Sequence, residues 1–165
     1  PFAGQFDYAT CLFDTLNFLL NVEDLRVAMG EIASALADNG VFYFDLITER
    51  MVTDHFENRK WVESNGGFST SWEGVFDRKT SIARTAVTVN RQLPLVIEER
   101  IHTVDEVRQA LEEAGFTLLG FYDAESWRAP TRKTLRLDAV AVKGDPAVYR
   151  KKVRGVESFL RNAFK

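Results

Sequence analysis

"FDYATCLFDTLNFL", residues 6–19, decides the reading of this chain. Its first part, Phe6 to Leu12, is apolar or small on both faces apart from Asp7 and Thr10. That is the pattern of a strand covered on both sides. It runs straight into Phe13-Asp14-Thr15-Leu16-Asn17. A strand that ends in a carboxylate, a hydroxyl and a carboxamide sets polar groups where the chain turns. Two readings follow from the residue types alone. Asp14, Thr15 and Asn17 can cap a short turn before a helix, or they can face a ligand.

Outward from this stretch, a helix is expected. Asn21 can accept a hydrogen bond from an orphan backbone N–H, and Glu23 and Asp24 suit the positive end. Leu25, Ala28, Met29, Ile32, Ala35 and Leu36 recur at intervals of three and four, one buried stripe. Asn39-Gly40 is expected to end the helix, because Gly tolerates the left-handed conformation that stops one. "VFYFDLI", residues 41–47, reads as a second buried strand, and it too carries a carboxylate near its end, Asp45. Strand, helix and strand with short connections predict a βαβ unit with parallel strands.

The middle of the chain changes character. Residues 48–60 read as helical. Residues 61–101 read as an antiparallel insert: "FSTSWEGVF" and "SIARTAVTVN" flank the turn Asp77-Arg78-Lys79-Thr80, and "LVIEERI" adds a strand after Pro94. The α/β pattern then resumes. Thr103-Val104-Asp105-Glu106 is a capping box, followed by the stripe Val107, Ala110, Leu111, Ala114 and a stop at Gly115. "FTLLGFYDA" (116–124) and "TLRLDAVAVK" (134–143) read as strands. The link between them, "ESWRAPTRK", is too short to cross a sheet face, so they are expected to be antiparallel neighbours. An amphipathic helix, 146–164, closes the chain.

Composition narrows the class. The 165 residues are 45% hydrophobic and 27% charged, enough for one domain with a core and unlike a disordered chain. No apolar run reaches the length that crosses a bilayer, and no segment resembles a signal peptide. Cys11 is the single cysteine, which excludes an internal disulfide and favours a reducing, cytoplasmic setting. The net charge of −3 hides a split: Lys143 to Lys165 carries seven basic residues against two acidic ones. A basic tail on an acidic body fits a solvated helix lying on that body. It also fits a complete small α/β binding module whose tail, with Arg128, Arg132, Lys133 and Arg136, meets an anionic partner. The acidic body argues against nucleic acid.

Reduced to elements, the chain is β-α-β, antiparallel insert, α-β-β: part of a doubly wound sheet that finishes with a reversed strand. In open sheets of this kind, ligands sit beyond the carboxyl ends of the parallel strands. Those ends are Leu12 to Asn17 and Asp45 to Thr48. "FDYATCLFDTLNFL", "EDLRVAMGEIASALADNGVFYFDLIT" and "EERIHTVDEVRQALEEAGF", in this order, resemble the class I S-adenosylmethionine-dependent methyltransferases. The likeness covers residues 5–143 and is to the small-molecule branch that includes glycine N-methyltransferase-like enzymes.

The resemblance implies a Rossmann-like sheet, S-adenosylmethionine as cofactor and a small-molecule methyl acceptor. It implies that Cys11, Leu12 and Phe13 border the methionine part of the cofactor. It implies further that Asp14, Asn17, Asp45 and, from the cover, Trp72 face the acceptor. Trp61, Trp72 and Phe76 wall the pocket in that reading, or simply pack the inserted sheet. Glycine-type relatives carry an arginine shortly after the aspartate; this chain has Leu46-Ile47-Thr48, which argues against an amino-acid acceptor held in that way. Methyl transfer from a sulfonium needs no enzyme nucleophile, so no catalytic residue is assigned. His55 and His102 lack ligand spacing, so no metal is expected.

The family's glycine-rich turn and the acid that follows it are absent from these 165 residues. With Pro1 in place of an initiator Met, the chain is expected to be the carboxyl half of such an enzyme, inactive alone. The face of Phe6 to Leu12 that would meet the missing strand is expected to be an open edge, joining copies into a dimer or larger assembly.

Overall fold

The computed structural model describes residues 2–163, Val148 and Arg161 by backbone alone. The βαβ unit forms as the apolar pattern requires. β1 (Phe6–Cys11) lies parallel to β2 (Leu36–Ile47), in register from Tyr8 opposite Val41 to Cys11 opposite Phe44. α1 (Val22–Ala35) connects them, and the Asn21 side chain accepts from the Asp24 N–H at its start. β7 (Phe116–Asp123) and β8 (Arg136–Lys143) are antiparallel, as their short link dictates. β8 also pairs antiparallel with β2, giving the order β1-β2-β8-β7.

Period-two alternation divides this sheet into two faces. Phe42, Phe44 and Leu46 of β2, with Ala139 and Ala141 of β8, are buried under Leu25 and Met29 of α1 and Val107, Ala110 and Leu111 of α3 (Val104–Glu113). Phe42 and Phe44 stack with centroids 4.7 Å apart, and the small Ala141 and Ala139 stand opposite them in register. Each such aromatic contributes about 1.5–3 kcal/mol on burial. α3 opens with the expected capping box between Thr103 and Glu106. The other face carries Tyr8, then Thr10, Tyr43 and Val140 in register across three strands, and Asp45 opposite Asp138.

Two expectations about this unit fail. β1 is not covered on both sides: it ends the sheet, with Phe6 44% and Tyr8 57% exposed. Nor does α1 run to Asn39-Gly40. It stops at Ala35, where the Gly4 and Gln5 N–H groups donate to the Ser34 and Ala35 carbonyls at 2.8 and 2.9 Å. Leu36 is already extended and opposite Phe6. Asn39, at φ 61°, and Gly40 instead shape an irregularity within β2, between Leu36 and Val41. A Cβ on Gly40 would stand 2.9 Å from the Ala37 carbonyl oxygen.

The insert is a four-stranded antiparallel meander, β3 (Lys60–Asn65), β4 (Phe68–Asp77), β5 (Ile82–Val89) and β6 (Leu95–Arg100). The helix before it, α2 (Glu49–His55), is shorter than residues 48–60. Val52 of α2 packs with Ile47, Ala83 and Ile101 in a second small core that seats the insert on the body. At Gly74 the seat is tightest: a Cβ there would lie 2.3 Å from the Phe56 carbonyl oxygen.

α4 (Ala147–Ala163) follows β8, and the Tyr122 hydroxyl donates to Glu157 Oε1 at 2.6 Å. The expected last helical residue, Phe164, and Lys165 of the basic tail lie outside the described residues. No helix among the described residues is long and apolar enough to cross a membrane.

Gly74→Ala should destabilise the chain by about 1–3 kcal/mol through overpacking against Phe56. Urea unfolding of the two proteins measures it; an unchanged midpoint would show that the seat of the insert yields freely.

Candidate functional site

Because β1 and β2 are parallel, both carboxyl ends lie on one rim, and the sequence places polar residues at both. β1 leaves its ladder through two consecutive left-handed residues, Phe13 (φ 58°) and Asp14 (φ 54°). Such conformations cost non-glycine residues of order 1 kcal/mol or more each and persist only where the surroundings impose them. Here the Asp14 N–H donates to Asp45 Oδ1 at 3.0 Å, the Asn17 N–H to the Asp14 carbonyl at 2.8 Å, and the Thr15 hydroxyl to the Leu12 carbonyl at 2.6 Å. The turn throws the Phe13 ring outward, 82% exposed.

Asn17 lies within the 3₁₀ turn Thr15–Phe18 and is fully buried. Its Oδ1 accepts the Ile47 N–H at 3.1 Å and its Nδ2 donates to the Arg100 carbonyl at 2.9 Å. The amide thus joins the end of β1, the end of β2 and the end of β6. Both of its polar atoms are committed to backbone.

Asp45, Asp14 and Arg136 form the ionic centre of the rim. Arg136 stands opposite Ile47 in β8 and reaches diagonally to Asp45. Its Nη1 donates to Asp45 Oδ2 and lies 3.4 Å from Asp14 Oδ1. Burial pulls the guanidinium downward, but the bond to Asp45 and the charge of Asp14 outweigh it and hold the guanidinium firmly protonated.

Glu99, from β6 of the insert, closes the cluster from above. Its Oε1 is shut off from solvent with no donor aimed at it among the described residues. Burial, then the charge of Asp14 and a hydrogen bond shared with it, push Glu99 up to about 7, against a smaller opposing pull from Arg136. Behind the centre, Asp138 stands opposite Asp45 and accepts from Tyr43 and Trp127. Burial raises both the Tyr43 hydroxyl and the Asp138 carboxyl above their ordinary values.

Of the residues expected at the site, Asp14, Asn17 and Asp45 therefore meet at one rim. Cys11 and Leu12 lead into it from β1; Cys11 is half-buried, and burial followed by the charge of Asp45 raises its thiol above the ordinary value. Trp72 lies apart. It stacks on Trp61, centroids 5.6 Å, opposite Val87, whereas Glu99 stands opposite Ala83, four residues along β5 or roughly 13 Å. Arg100, at the end of β6, pairs with Glu106 at 2.8 Å.

Arg136 and Glu99 were not anticipated at the rim. Alternation held the signal for both: Arg136 and Asp138 fall on one face of β8, and Ile97 and Glu99 on one face of β6. A cleft of about 400 Å³ between Thr48, Arg50, Thr131 and Arg132 is lined by none of Asp14, Asn17, Asp45, Glu99 and Arg136. No group of three or more His, Cys, Asp or Glu among the described residues could hold a metal ion.

The fold has known counterparts. No family model matches the chain. A Geobacillus sp. (strain WCH70) protein named as a methyltransferase is 24% identical over 148 residues, 85% of this chain and 60% of that protein. An S-adenosylmethionine-dependent methyltransferase from Clostridium acetobutylicum superposes with TM-score 0.73 at 19% identity, over 86% of this chain and 59% of that one. The CcbJ methyltransferase of Streptomyces caelestis gives 0.71 at 14% identity, over 86% and 62%. An S-adenosylmethionine-bound amino pentose methyltransferase from Micromonospora echinaspora gives 0.61 at 18% identity, over 87% and 60%. The fold is that of the class I S-adenosylmethionine-dependent methyltransferases. The chain spans about three fifths of the length of these relatives.

Asn17→Ala should cost about 2–4 kcal/mol, because it strands the buried Ile47 N–H and the Arg100 carbonyl; chemical denaturation reads this directly. The raised Glu99 pKa has a defined sign. Between its ordinary 4.5 and about 7 the unfolded chain releases the proton while the folded chain keeps it, so stability falls as pH rises through that window. His102, buried with Nε2 2.9 Å from the Leu19 carbonyl, acts oppositely. Burial lowers its pKa, so stability is lost as pH falls below its ordinary 6.5. Urea midpoints from pH 5 to 8 should show Glu99→Gln abolishing the loss toward high pH and leaving the His102 effect in place.

Proposed function

We propose that the chain is the acceptor-side part of an S-adenosylmethionine-dependent methyltransferase acting on a small molecule. The observation that carries this reading is the rim. The turn after β1 is bonded to Asp45 at the end of β2, and the insert lies over it through Glu99. The amino pentose methyltransferase among the structural relatives lends weight to a small acceptor.

Cys11, Leu12 and Phe13 fit the methionine end of the cofactor, since β1 ends there in a half-buried thiol and a backbone turned outward. S-adenosylmethionine, when bound, supplies a methyl group on a sulfonium, an electrophile that asks for no nucleophile from the protein. A neutral Cys11 thiol agrees with that. Asp14 and Asp45 orient the acceptor, Asn17 fixes the rim that presents them, and Trp72 contributes to the outer wall of the cover. Holding the acceptor in line removes much of the entropic barrier to transfer. Nothing in these residues favours a glycine-type acceptor: the arginine at the rim, Arg136, already serves two carboxylates.

The adenosyl end has no holder here, because the sequence lacks a glycine-rich turn. The open edge of β1 is where a further strand pairs, from a cofactor-binding part or from a second copy. Titration calorimetry should show no S-adenosylmethionine binding by these 165 residues and clear binding by a longer chain with the upstream part joined to Pro1. Silence from the longer chain would overturn the assignment.

A further inference from the structure

We infer that the cleft between the start of α2 and the link from β7 to β8 binds a small organic anion, a carboxylate or phosphate head on an apolar body. It is a second site, apart from the rim, and does not depend on the rim's role. The sequence gathers Arg128, Arg132, Lys133 and Arg136 in and beside that link. Arg136 goes to the rim and bonds Asp45. Arg132 goes elsewhere: with Arg50 of α2 it lines the cleft of about 400 Å³, a volume suited to a small molecule. Thr53 and Thr131 add hydroxyls to the lining, and Val104, Pro130 and Leu137 add an apolar wall.

Charge sets the sign of the occupant. Arg26, Arg78, Arg84 and Arg100 are each paired with a carboxylate. In the cleft, Arg50 meets Asp54 through Nε at 2.6 Å, and Glu49 lies 3.8 Å from Arg78 Nε. Arg132 has no carboxylate partner among the described residues. Its fork suits a carboxylate or a phosphate, each of which takes two parallel N–H bonds. The turn that carries Arg132 is already fixed. The Thr131 N–H donates to Thr134 Oγ1 at 2.9 Å, the Lys133 N–H to Thr131 Oγ1 at 3.1 Å, and the Thr48 hydroxyl to the Thr134 carbonyl at 2.8 Å. Little backbone has to be ordered on binding.

The apolar body follows from what adjoins the head. Val104 and Pro130 also line a neighbouring cleft of about 430 Å³, with Leu118, Leu119 and Phe121 of β7. An anion held at Arg132 can lay an apolar group along Val104 and Pro130, whereas a bare inorganic ion leaves that surface wet. Arg108, which lines the second cleft, keeps the surroundings cationic.

Nitrogen-15 NMR of the chain, following backbone amides and the arginine Nε–H groups, tests this without cofactor, so failure of the transferase reading stays separate. Phenyl phosphate and benzoate should each give saturable shifts at residues 130–134 and at the Arg132 Nε–H, and the tighter of the two names the head group. Inorganic phosphate should bind about tenfold more weakly, for want of the ring. Benzylammonium, with a ring and the opposite charge, should leave these resonances in place. Arg132→Gln should weaken phenyl phosphate about tenfold, the loss of a charged hydrogen-bonding partner. Arg132→Lys, which keeps the charge without the fork, should restore part of that. Arg91→Gln, in the exposed turn between β5 and β6, makes the same change in net charge and should leave affinity unchanged. No saturable shift, inorganic phosphate binding as tightly as phenyl phosphate, an equal response to benzylammonium, or full affinity in Arg132→Gln would each overturn the proposal.

Discussion

A single buried carboxamide sets the geometry on which the rim depends. Asn17 lies 30 residues from Ile47 and 83 from Arg100, yet it bonds the backbone of both. Neither backbone group has a strand partner where its sheet ends, and the Ile47 N–H is buried. A side chain with one acceptor and one donor meets both at once, which is why an amide stands there and a carboxylate or an aliphatic residue would not serve. Through it, the turn after β1 is locked to the end of β2 and to the point where the insert returns to the body. The left-handed Phe13-Asp14 pair is tolerable only because this lock holds both sides of it.

The ionic centre then follows from register. Asp45 and Asp138 stand opposite one another on the face of the sheet away from α1 and α3, and Arg136 is one alternate position further along. Two carboxyls side by side on neighbouring strands repel, so each needs its own partner. Asp45 takes Arg136 and the Asp14 N–H. Asp138 takes Tyr43 and Trp127. Glu99, brought in by the insert, finds no cation left. The raised pKa of that last carboxyl is thus a consequence of topology: two sheets bring acids from three strands and a turn to a place served by one arginine.

The sequence was legible where one periodicity acted alone. The stripe of α1, the capping box of α3 and the antiparallel pairing of β7 with β8 all rest on local pattern or link length, and all are found. It was illegible where a distant segment intervened. Asn39-Gly40 looked like a helix stop, but Gly4 and Gln5 end the helix four residues earlier by bonding its last carbonyls. Phe6 to Leu12 looked buried because its composition suits burial, yet burial depends on what lies beyond the edge. At the rim, Asp14, Asn17 and Asp45 were visible as polar residues at strand ends. Glu99 and Arg136 were not, since their placement depends on how β6 and β8 are registered against strands far away in sequence.

These observations bear on β1 itself. It pairs on one side only, with β2, and its outer edge and much of its side-chain surface face solvent. A lone parallel edge strand is weakly held by its own ladder. What anchors it lies at its two ends: Gly4 and Gln5 bonded to the end of α1, and Asp14 and Asn17 bonded to the end of β2. The second anchor is the rim. The groups that would face an acceptor therefore also keep β1 in register, and charge at the rim and the seating of the strand are coupled. A further strand on the outer edge of β1 would steady the same turn from the opposite side. In a sheet completed on both sides, acceptor recognition and cofactor placement would reach each other through the six residues of β1 and the turn that ends it.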